Sequence, residues 1–446
     1  MKIIITGAGA VGYHLAKMLS SESQDIYVVD ENQERLNYVQ SHLDIYAIHG
    51  DAKLPSVLQE AQVESCDLLI AVTSSEETNL LIGVLGKKFG ARRVIARINS
   101  PEFAHESEAK LFQGMGIDEI ISPMELAACE IKLLVEHSLF TDECEFEDGK
   151  LRVVGIVTTH ESPIINKTVK ESAHLNPDLK FRPIALNRNQ ETIIVKADTI
   201  IREGDTVYFI SDDTSLPLIT ELSGQKTFNI ENVMILGGSS IGILVAEKLQ
   251  DEYNVTLVER NRALCEEIAG KLKNTLVLNA DGRDVNALEE EGLADMDAFI
   301  AVTGDSESNI ISSLVAKNHN VKKTIARVEN IDYIHLSQRI GIDALINKKI
   351  IAAGNIFKFV RKGHVDAIAA LHGVDAEIIE FTVKPGSQIS KNTIANSKIP
   401  SGCTIAGVVR GNEGYIPFGD FQILAGDKVV VFSLNECIQS VEKVFL

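Results

Sequence analysis

The chain of 446 residues carries one pattern twice. Near its start an apolar run leads into Gly7-Ala8-Gly9-Ala10-Val11-Gly12, and 230 residues later (237 − 7) a second apolar run leads into Gly237-Gly238-Ser239-Ser240-Ile241-Gly242. The same spacing relates four polar pairs: Asp51 and Asp281, Thr73 and Thr303, Asn79 and Asn309, and Arg97 and Arg327. A fixed spacing over so many positions indicates internal duplication, so the chain must build the same unit twice.

Length and charge narrow the class of protein. A chain of this length predicts three or four domains. The formal net charge of −20 argues against nucleic-acid binding, and the basic pairs Lys87-Lys88, Arg92-Arg93 and Lys348-Lys349 are interpreted as solvated surface. Six scattered cysteines form no CxxC pair, so no metal site is predicted. No segment approaches the roughly 20 apolar residues that span a bilayer, and we expect a chain that does not cross a membrane by itself.

Short apolar runs alternate with helical segments in each half. Runs such as Lys2 to Thr6 and Val233 to Leu236 are rich in Ile, Val and Leu, as is typical of a parallel sheet covered on both faces. The fold class is therefore α/β, with two Rossmann-type doubly wound sheets. Each is followed by shorter β-type pieces that predict a small α+β domain, and the predicted domains are 1–138, 139–225, 230–366 and 367–446.

The segment from Pro123 to Ser138 has the spacing of an amphipathic helix. Two interpretations are equally open. The helix closes its own domain, or it forms a contact between subunits.

A strand, a GxGxxG loop and a helix together favour a dinucleotide. The glycines allow a tight turn and close approach to a pyrophosphate, whose charge suits the N–H groups at the start of the helix. Asp30 ends the second strand, where a carboxylate accepts ribose hydroxyls and repels a 2′-phosphate, so NAD(H) is favoured over NADP(H). In the second half Ser239 replaces the middle glycine while Glu259 keeps the acceptor. That site is predicted to prefer ATP or ADP, or to be empty.

Further polar residues end the later strands, where ligands lie in doubly wound sheets. Asp51 is interpreted as an adenine contact or as a helix cap, and Thr73-Ser74 and Thr303 as small residues that leave room for a ligand. Arg97 and Arg327 are interpreted as phosphate ligands or as members of local salt bridges.

No catalytic apparatus is evident. Tyr13 and Lys17 fit a YxxxK pattern, but they lie in the helix that follows the glycine loop rather than beside a nicotinamide. A dehydrogenase needs an acid or base fixed near the transferred hydride. The sequence thus favours a nucleotide that acts as a signal, with an NAD-dependent oxidoreductase, or a sensor of redox or energy state acting on another partner, as alternatives.

The motifs KIIITGAGAVG, HGDA, AVTSSEETN and ARIN, with the order of the four domains, resemble the TrkA family of Trk-type potassium uptake systems, whose members contain two RCK (KTN) units. The resemblance implies a cytoplasmic, non-enzymatic regulatory subunit. It would bind NAD(H) or ATP/ADP, assemble as a homo-oligomeric dimer or tetrameric ring, and dock on the cytoplasmic face of a separate potassium-transporting membrane protein.

Residue by residue, the resemblance implies two nucleotide sites. The first comprises Gly7, Ala8, Gly9, Ala10, Val11, Gly12, Asp30, Asp51, Ala52, Thr73, Ser74 and Arg97. The second comprises Gly237, Gly238, Ser239, Ser240, Ile241, Gly242, Glu259, Asp281, Thr303 and Arg327.

Overall fold

The structure is a computed structural model that describes residues 1–20, 24–100, 103, 106–137, 139–147, 149–176, 180–189, 191–224, 228–330, 333, 340–361, 367–371 and 374–445. Residues 138, 225, 366 and 446, at which the predicted domains end, lie outside the described residues. The four domain boundaries therefore stay a prediction.

The first part of the chain forms a parallel sheet of six strands: β1 (Lys2–Thr6), β2 (Asp25–Asp30), β3 (Tyr46–His49), β4 (Leu68–Ala71), β5 (Arg93–Arg97) and β6 (Glu119–Ile121). Its helices are α1 (Ala10–Ser20), α2 (Gln33–His42), α3 (Pro55–Glu60), α4 (Glu76–Lys88), α5 (Glu106–Gly114) and α6 (Pro123–Glu136). The strand order β3-β2-β1-β4-β5-β6 reverses between β1 and β4, which places the switch point beside the first glycine loop.

A small antiparallel sheet follows, built from β7 (Phe140–Phe146), β8 (Leu151–Val157), β9 (Phe181–Arg188), β10 (Glu191–Ile194) and β11 (Thr206–Ser211). The strand order is β10-β9-β11-β8-β7, and the short helices α7 (Val169–Ser172) and α8 (Leu216–Leu222) accompany it. We call this part the first small module.

The second part of the chain repeats both units. Its parallel sheet contains β12 (Asn232–Leu236), β13 (Asn254–Glu259), β14 (Thr275–Asn279), β15 (Ala298–Ala301), β16 (Lys323–Arg327) and β17 (Ala344–Ile346). Its helices are α9 (Ser240–Leu249), α10 (Arg262–Lys271), α11 (Val285–Glu290), α12 (Ser306–Asn318) and α13 (Lys348–Arg361). The second small module contains β18 (Ala367–Ala370), β19 (Ala376–Thr382), β20 (Cys403–Arg410), β21 (Glu413–Tyr415), β22 (Lys428–Leu434) and the helix α14 (Ile438–Phe445).

The two parallel sheets have the same strand order, and both small modules are antiparallel. The predicted fold class is confirmed. The strands form where they were expected because their side chains are apolar on both faces: Ile3, Ile4 and Ile5 of β1 are all fully buried.

The helices that end the two parallel sheets are exchanged. Helix α6 packs against α9 of the second sheet, where its Ile131 and Val135 share one buried cluster with Val245. Reciprocally, α13 packs against α1 of the first sheet, and its Ile356 shares a cluster with Leu15. Neither interpretation of Pro123 to Ser138 described this contact, since the helix completes the other half of its own chain.

The two small modules pack sheet against sheet. Tyr208 and Phe432 meet with ring centroids 6.4 Å apart inside a cluster that draws on both modules. Each module also encloses one bidentate ion pair. Arg188 donates to Asp205 at 2.8 and 2.7 Å, and Arg410 donates to Asp427 at the same two distances. The duplication therefore extends to the buried polar contacts.

Candidate nucleotide-binding sites

The first glycine loop is shaped by close backbone contacts. Gly7 has a φ of +105°, and a Cβ at Gly12 would lie 1.8 Å from the carbonyl oxygen of Gly7. Both positions therefore require glycine. Gly9 differs, because a Cβ there would meet no heavy atom within 4 Å. Its open side faces a cavity, which fits the close approach of a phosphate.

Asp30 stabilises the conformation of this loop. Its carboxylate accepts hydrogen bonds from the backbone N–H groups of Ala8, at 2.6 Å, and Asn32, at 2.8 Å. Glu259 repeats the arrangement, since it accepts from Gly238 and Asn261, both at 2.8 Å. A carboxylate oxygen has further lone pairs, so both residues can still accept a ribose hydroxyl.

Thr73 lies directly against Gly7 of the loop, where a Cβ at Gly7 would come within 3.1 Å of the Thr73 backbone, and it is fixed by a buried amide. The side-chain oxygen of Asn79 accepts from the backbone N–H and the hydroxyl of Thr73, at 2.8 and 2.7 Å, and its NH₂ group donates to the carbonyl oxygen of Arg97 at 2.8 Å. Asn309 makes the same contacts to Thr303 and Arg327. The repeated asparagines thus join the ends of the fourth and fifth strands.

The first cavity has a volume of about 490 Å³. Ten of the twelve residues predicted for the first site line it: Gly7, Gly9, Ala10, Val11, Asp30, Asp51, Ala52, Thr73, Ser74 and Arg97. Ala8 and Gly12 do not line it and are buried in the loop. Asp51 accepts from the backbone N–H of Lys53 at 2.9 Å, whereas the N-cap of α3 is Leu54. Asp51 therefore stabilises a turn and does not cap the helix.

Lys348 and Lys349 complete this cavity from the second half of the chain. The exchange of α13 brings them there, and their side chains are only 21% and 30% exposed. The interpretation of this pair as solvated surface is therefore wrong. With Arg35, Lys53 and Arg97 the lining contains five cationic residues, against the three acidic residues Asp30, Glu31 and Asp51.

Glu329 lies beside these lysines and binds three cations. It accepts from Arg327 and from Lys349, the latter at 2.9 Å, and it lies 3.4 Å from Lys348. Burial alone would raise the pKa of Glu329, but these hydrogen bonds and charges outweigh it and lower the pKa to about 2. We call Arg327, Glu329, Lys348 and Lys349 the charge cluster.

Arg97 lies near this cluster at the wall of the first cavity. Burial lowers the pKa of Arg97, while the charge of Glu329 acts in the opposite direction. Its Nη2 donates to Asn99 at 3.2 Å, but its buried Nε has no hydrogen-bond partner among the described residues. An anion in the cavity would supply the partner that this guanidinium lacks.

The second cavity also has a volume of about 490 Å³. Six of the ten predicted residues line it: Gly237, Gly238, Ser239, Glu259, Asp281 and Thr303. Four do not: Ser240, Ile241, Gly242 and Arg327. The guanidinium of Arg327 pairs instead with Glu329 and donates to the carbonyl oxygen of Thr303 at 3.3 Å.

Ser239 and a different charge balance separate the second cavity from the first. The hydroxyl of Ser239 donates to the carbonyl oxygen of Val302 at 2.7 Å and accepts from Gly242 N–H at 3.3 Å, so it caps α9 where the first loop has only open space. Hydrogen bonds from Arg283 lower the pKa of Asp281 to about 2. Arg260 and Arg283 are the cationic residues of this lining, against Glu259, Asp281 and Asp305. The second cavity is therefore less suited to a polyanion.

Sequence reasoning missed Lys348, Lys349, Glu329, Arg260 and Arg283. The two arginines directly follow Glu259 and Gly282 at the carboxyl edge of the sheet, and that position was a usable signal. Lys348 and Lys349 reach the first cavity through the helix exchange, which no local pattern reveals, and Glu329 is near it because it pairs with both lysines.

Fold and cavities together define the class: two tandem Rossmann-type nucleotide-binding units, each followed by a small antiparallel module. The TrkA-N domain model matches residues 3–123 and 233–348, and the TrkA-C domain model matches residues 153–224 and 378–446. The chain belongs to the TrkA family of Trk-system potassium uptake proteins, which confirms the resemblance.

Relatives extend over the whole chain. The Trk system potassium uptake protein TrkA of Halomonas elongata is 33% identical over 100% of this chain and 98% of its own length. TrkA homolog 1 of Methanosarcina mazei is 32% identical over the full length of both chains.

Solved structures share the fold. The GsuK RCK domain has a TM-score of 0.61 at 16% identity and covers 99% of this chain and 94% of its own. The GsuK channel bound to NAD has a TM-score of 0.63 at 16% identity, covering 100% of this chain and 78% of its own. No helix within the described ranges is both long and apolar enough to cross a membrane.

Proposed function

We propose that this chain is the nucleotide-sensing regulatory subunit of a Trk-type potassium uptake system, with NAD(H) in the first cavity and ATP or ADP bound more weakly in the second. The observation that carries the proposal is the first cavity. A glycine loop, a ribose acceptor and an excess of cationic residues meet there, in a chain whose net charge is −20.

The nucleotide acts by biasing a conformational equilibrium. The first cavity is bounded by residues of both halves, so a ligand bound there contacts Lys348 and Lys349 together with the first glycine loop. The nucleotide can change the state of a partner only if it binds two arrangements of the halves with different affinities. A coupling of about 1–3 kcal/mol would change the activity of the transporter about 5- to 150-fold.

The partner is a separate potassium-transporting membrane protein, and the subunit is cytoplasmic and docks on its cytoplasmic face as a homo-oligomer. Support comes from the family name, which places these chains in a potassium uptake system. Light scattering of the purified chain distinguishes a dimer from a tetrameric ring.

Calorimetric titration with NADH, NAD, ADP and ATP tests the two sites. Gly9→Ala should abolish binding in the first cavity without unfolding the chain, because its Cβ enters open space. Gly304→Leu is the matched variant for the second cavity, since a Cβ at Gly304 also meets no atom within 4 Å. Binding that survives in both variants would refute these sites.

Cofactor turnover separates the regulator from the alternative oxidoreductase. A regulator should leave NADH unoxidised during prolonged incubation with candidate carbonyl substrates. Steady oxidation that Gly9→Ala abolishes would establish the enzyme instead.

A further inference from the structure

A third cavity, of about 300 Å³, opens in the first small module, far along the chain from both glycine loops. Its floor is apolar and includes the buried side chains of Ile164, Ile201, Phe209 and Leu222. Phe418 of the second small module forms part of its wall. The cavity therefore lies where the two small modules meet, and its volume suits a small apolar body.

Three cations surround this apolar floor: Arg182, Lys170 and Lys196. None of the lining residues that the structure describes is acidic. The described lining of this cavity therefore carries positive charge alone around an apolar floor. Such a lining favours an anionic ligand that has an apolar part.

Arg182 is the central cation. Its Nη2 donates to the carbonyl oxygen of Ile405, and the guanidinium lies 5.8 Å from the ring centroid of Phe418. Its Nε is buried and has no hydrogen-bond partner among the described residues. Burial lowers the pKa of Arg182 to about 10. A largely buried guanidinium that pairs with no carboxylate among the described residues carries a desolvation cost, which a bound anion would offset.

The second small module lacks this arrangement although it has the same fold. Arg188 and Arg410 occupy equivalent positions 222 residues apart (410 − 188), so Thr404 replaces Arg182 and Phe418 replaces Lys196. The small module thus folds without these cations. Their presence in one copy needs another explanation.

We propose that this cavity binds an amphipathic monoanion, a carboxylate on a compact apolar body, with the carboxylate on Arg182 and the body on the apolar floor. Lys170 and Lys196 attract the anion at the rim. The ligand would contact Phe418 of the second small module as well as the first small module. Its binding would therefore stabilise the contact between the two modules. The inference is independent of nucleotide binding in the other two cavities.

Calorimetry of the full chain with octanoate tests the proposal, and 1-octanol and octylamine serve as neutral and cationic probes of the same body. Octanoate should bind one per chain, and both other probes should bind at least about tenfold more weakly, because a hydrogen bond to a charged group is lost. Arg182→Gln should weaken octanoate binding by at least about tenfold for the same reason. Equal affinity for octanoate and 1-octanol would overturn the proposal.

A second variant tests the same site without removing Arg182, in case Arg182→Gln does not fold. Ala173 is exposed and lines the cavity, so Ala173→Trp should block it while Arg182 stays in place. Lys180→Gln removes a nearby exposed lysine that does not line the cavity, and octanoate binding should be unchanged in it. Octanoate that binds Ala173→Trp as tightly as the parent chain would place the ligand elsewhere and refute the site. Gly9→Ala should keep full octanoate affinity.

Discussion

Glu329→Gln tests how the charge cluster controls the first cavity. The carboxylate accepts from Lys349 at 2.9 Å and lies 3.4 Å from Lys348, so it competes with a bound phosphate for two lysines that line the cavity. Each of these partly exposed pairs is worth about 0.5–1 kcal/mol. Releasing both lysines should tighten NADH binding in the first cavity about 5- to 30-fold.

The same substitution should lower stability. The pKa of Glu329 falls from its usual 4.5 to about 2, which corresponds to about 3.4 kcal/mol at 1.36 kcal/mol per unit. Since 29% of the side chain is exposed, solvent screening reduces this to about 1.5–2.5 kcal/mol. Because the folded pKa is lowered, this stabilisation is complete above pH 4.5 and is lost as the pH falls from about 4.5 towards about 2.

Calorimetric titration with NADH and urea unfolding at pH 7 measure the two effects. Glu267→Gln is the matched control, since it removes the same charge from an exposed pair with Lys271 on α10. The control should leave both quantities nearly unchanged. Weaker NADH binding, or unchanged binding, in Glu329→Gln would refute the competition between the carboxylate and phosphate.

Three further predictions concern the ion pairs of the small modules, the exchanged helix α6 and the lining of the first cavity. Asp205→Asn should lower the free energy of unfolding by about 1.5–3 kcal/mol in urea titrations, because the buried carboxylate loses its charge-assisted hydrogen bonds from the partly exposed Arg188, and Asp427→Asn should cost a similar amount in the second small module. Ile131→Ala should cost about 2–5 kcal/mol and should speed amide hydrogen exchange in Asn232–Leu236, although Ile131 belongs to the first half. Lys349→Gln should weaken NADH binding in the first cavity about two- to fivefold by calorimetry, and unchanged affinity would remove this lysine from the site.

Much of the fold could be predicted because its strands are apolar runs. The strand Lys2–Thr6 appears with the bounds that were predicted, and Asn232–Leu236 begins one residue before the predicted run Val233 to Leu236. The sixth strands of the parallel sheets were missed, since Glu119–Ile121 and Ala344–Ile346 have only three residues each and three residues give no reliable periodicity. Phe140–Phe146 was also missed, because Thr141, Asp142 and Glu143 interrupt it with three consecutive polar residues, so it forms neither an apolar run nor a regular alternation.

Residues of the candidate site could be predicted where they directly follow a strand. Residues that reach the site through long-range packing were missed. Asp30 and Thr73 lie at their expected places because a strand end fixes them. Amphipathic spacing identified Pro123 to Ser138 as a helix but does not specify which sheet it covers. The same limit hid Lys348 and Lys349. Arg327 pairs with Glu329 two residues along the chain, which is the local salt bridge that the sequence left open as an alternative to a phosphate contact.

The helix exchange has a consequence for how the two sites can diverge. Each half lends a helix to the other, as two identical half-length chains would in a symmetric dimer, and such a dimer would carry every substitution at both sites at once. One continuous chain is free of that constraint. It holds glycine at position 9 and serine at 239, and asparagine at 99 and glutamate at 329, so each half can specialise while the other still completes its core.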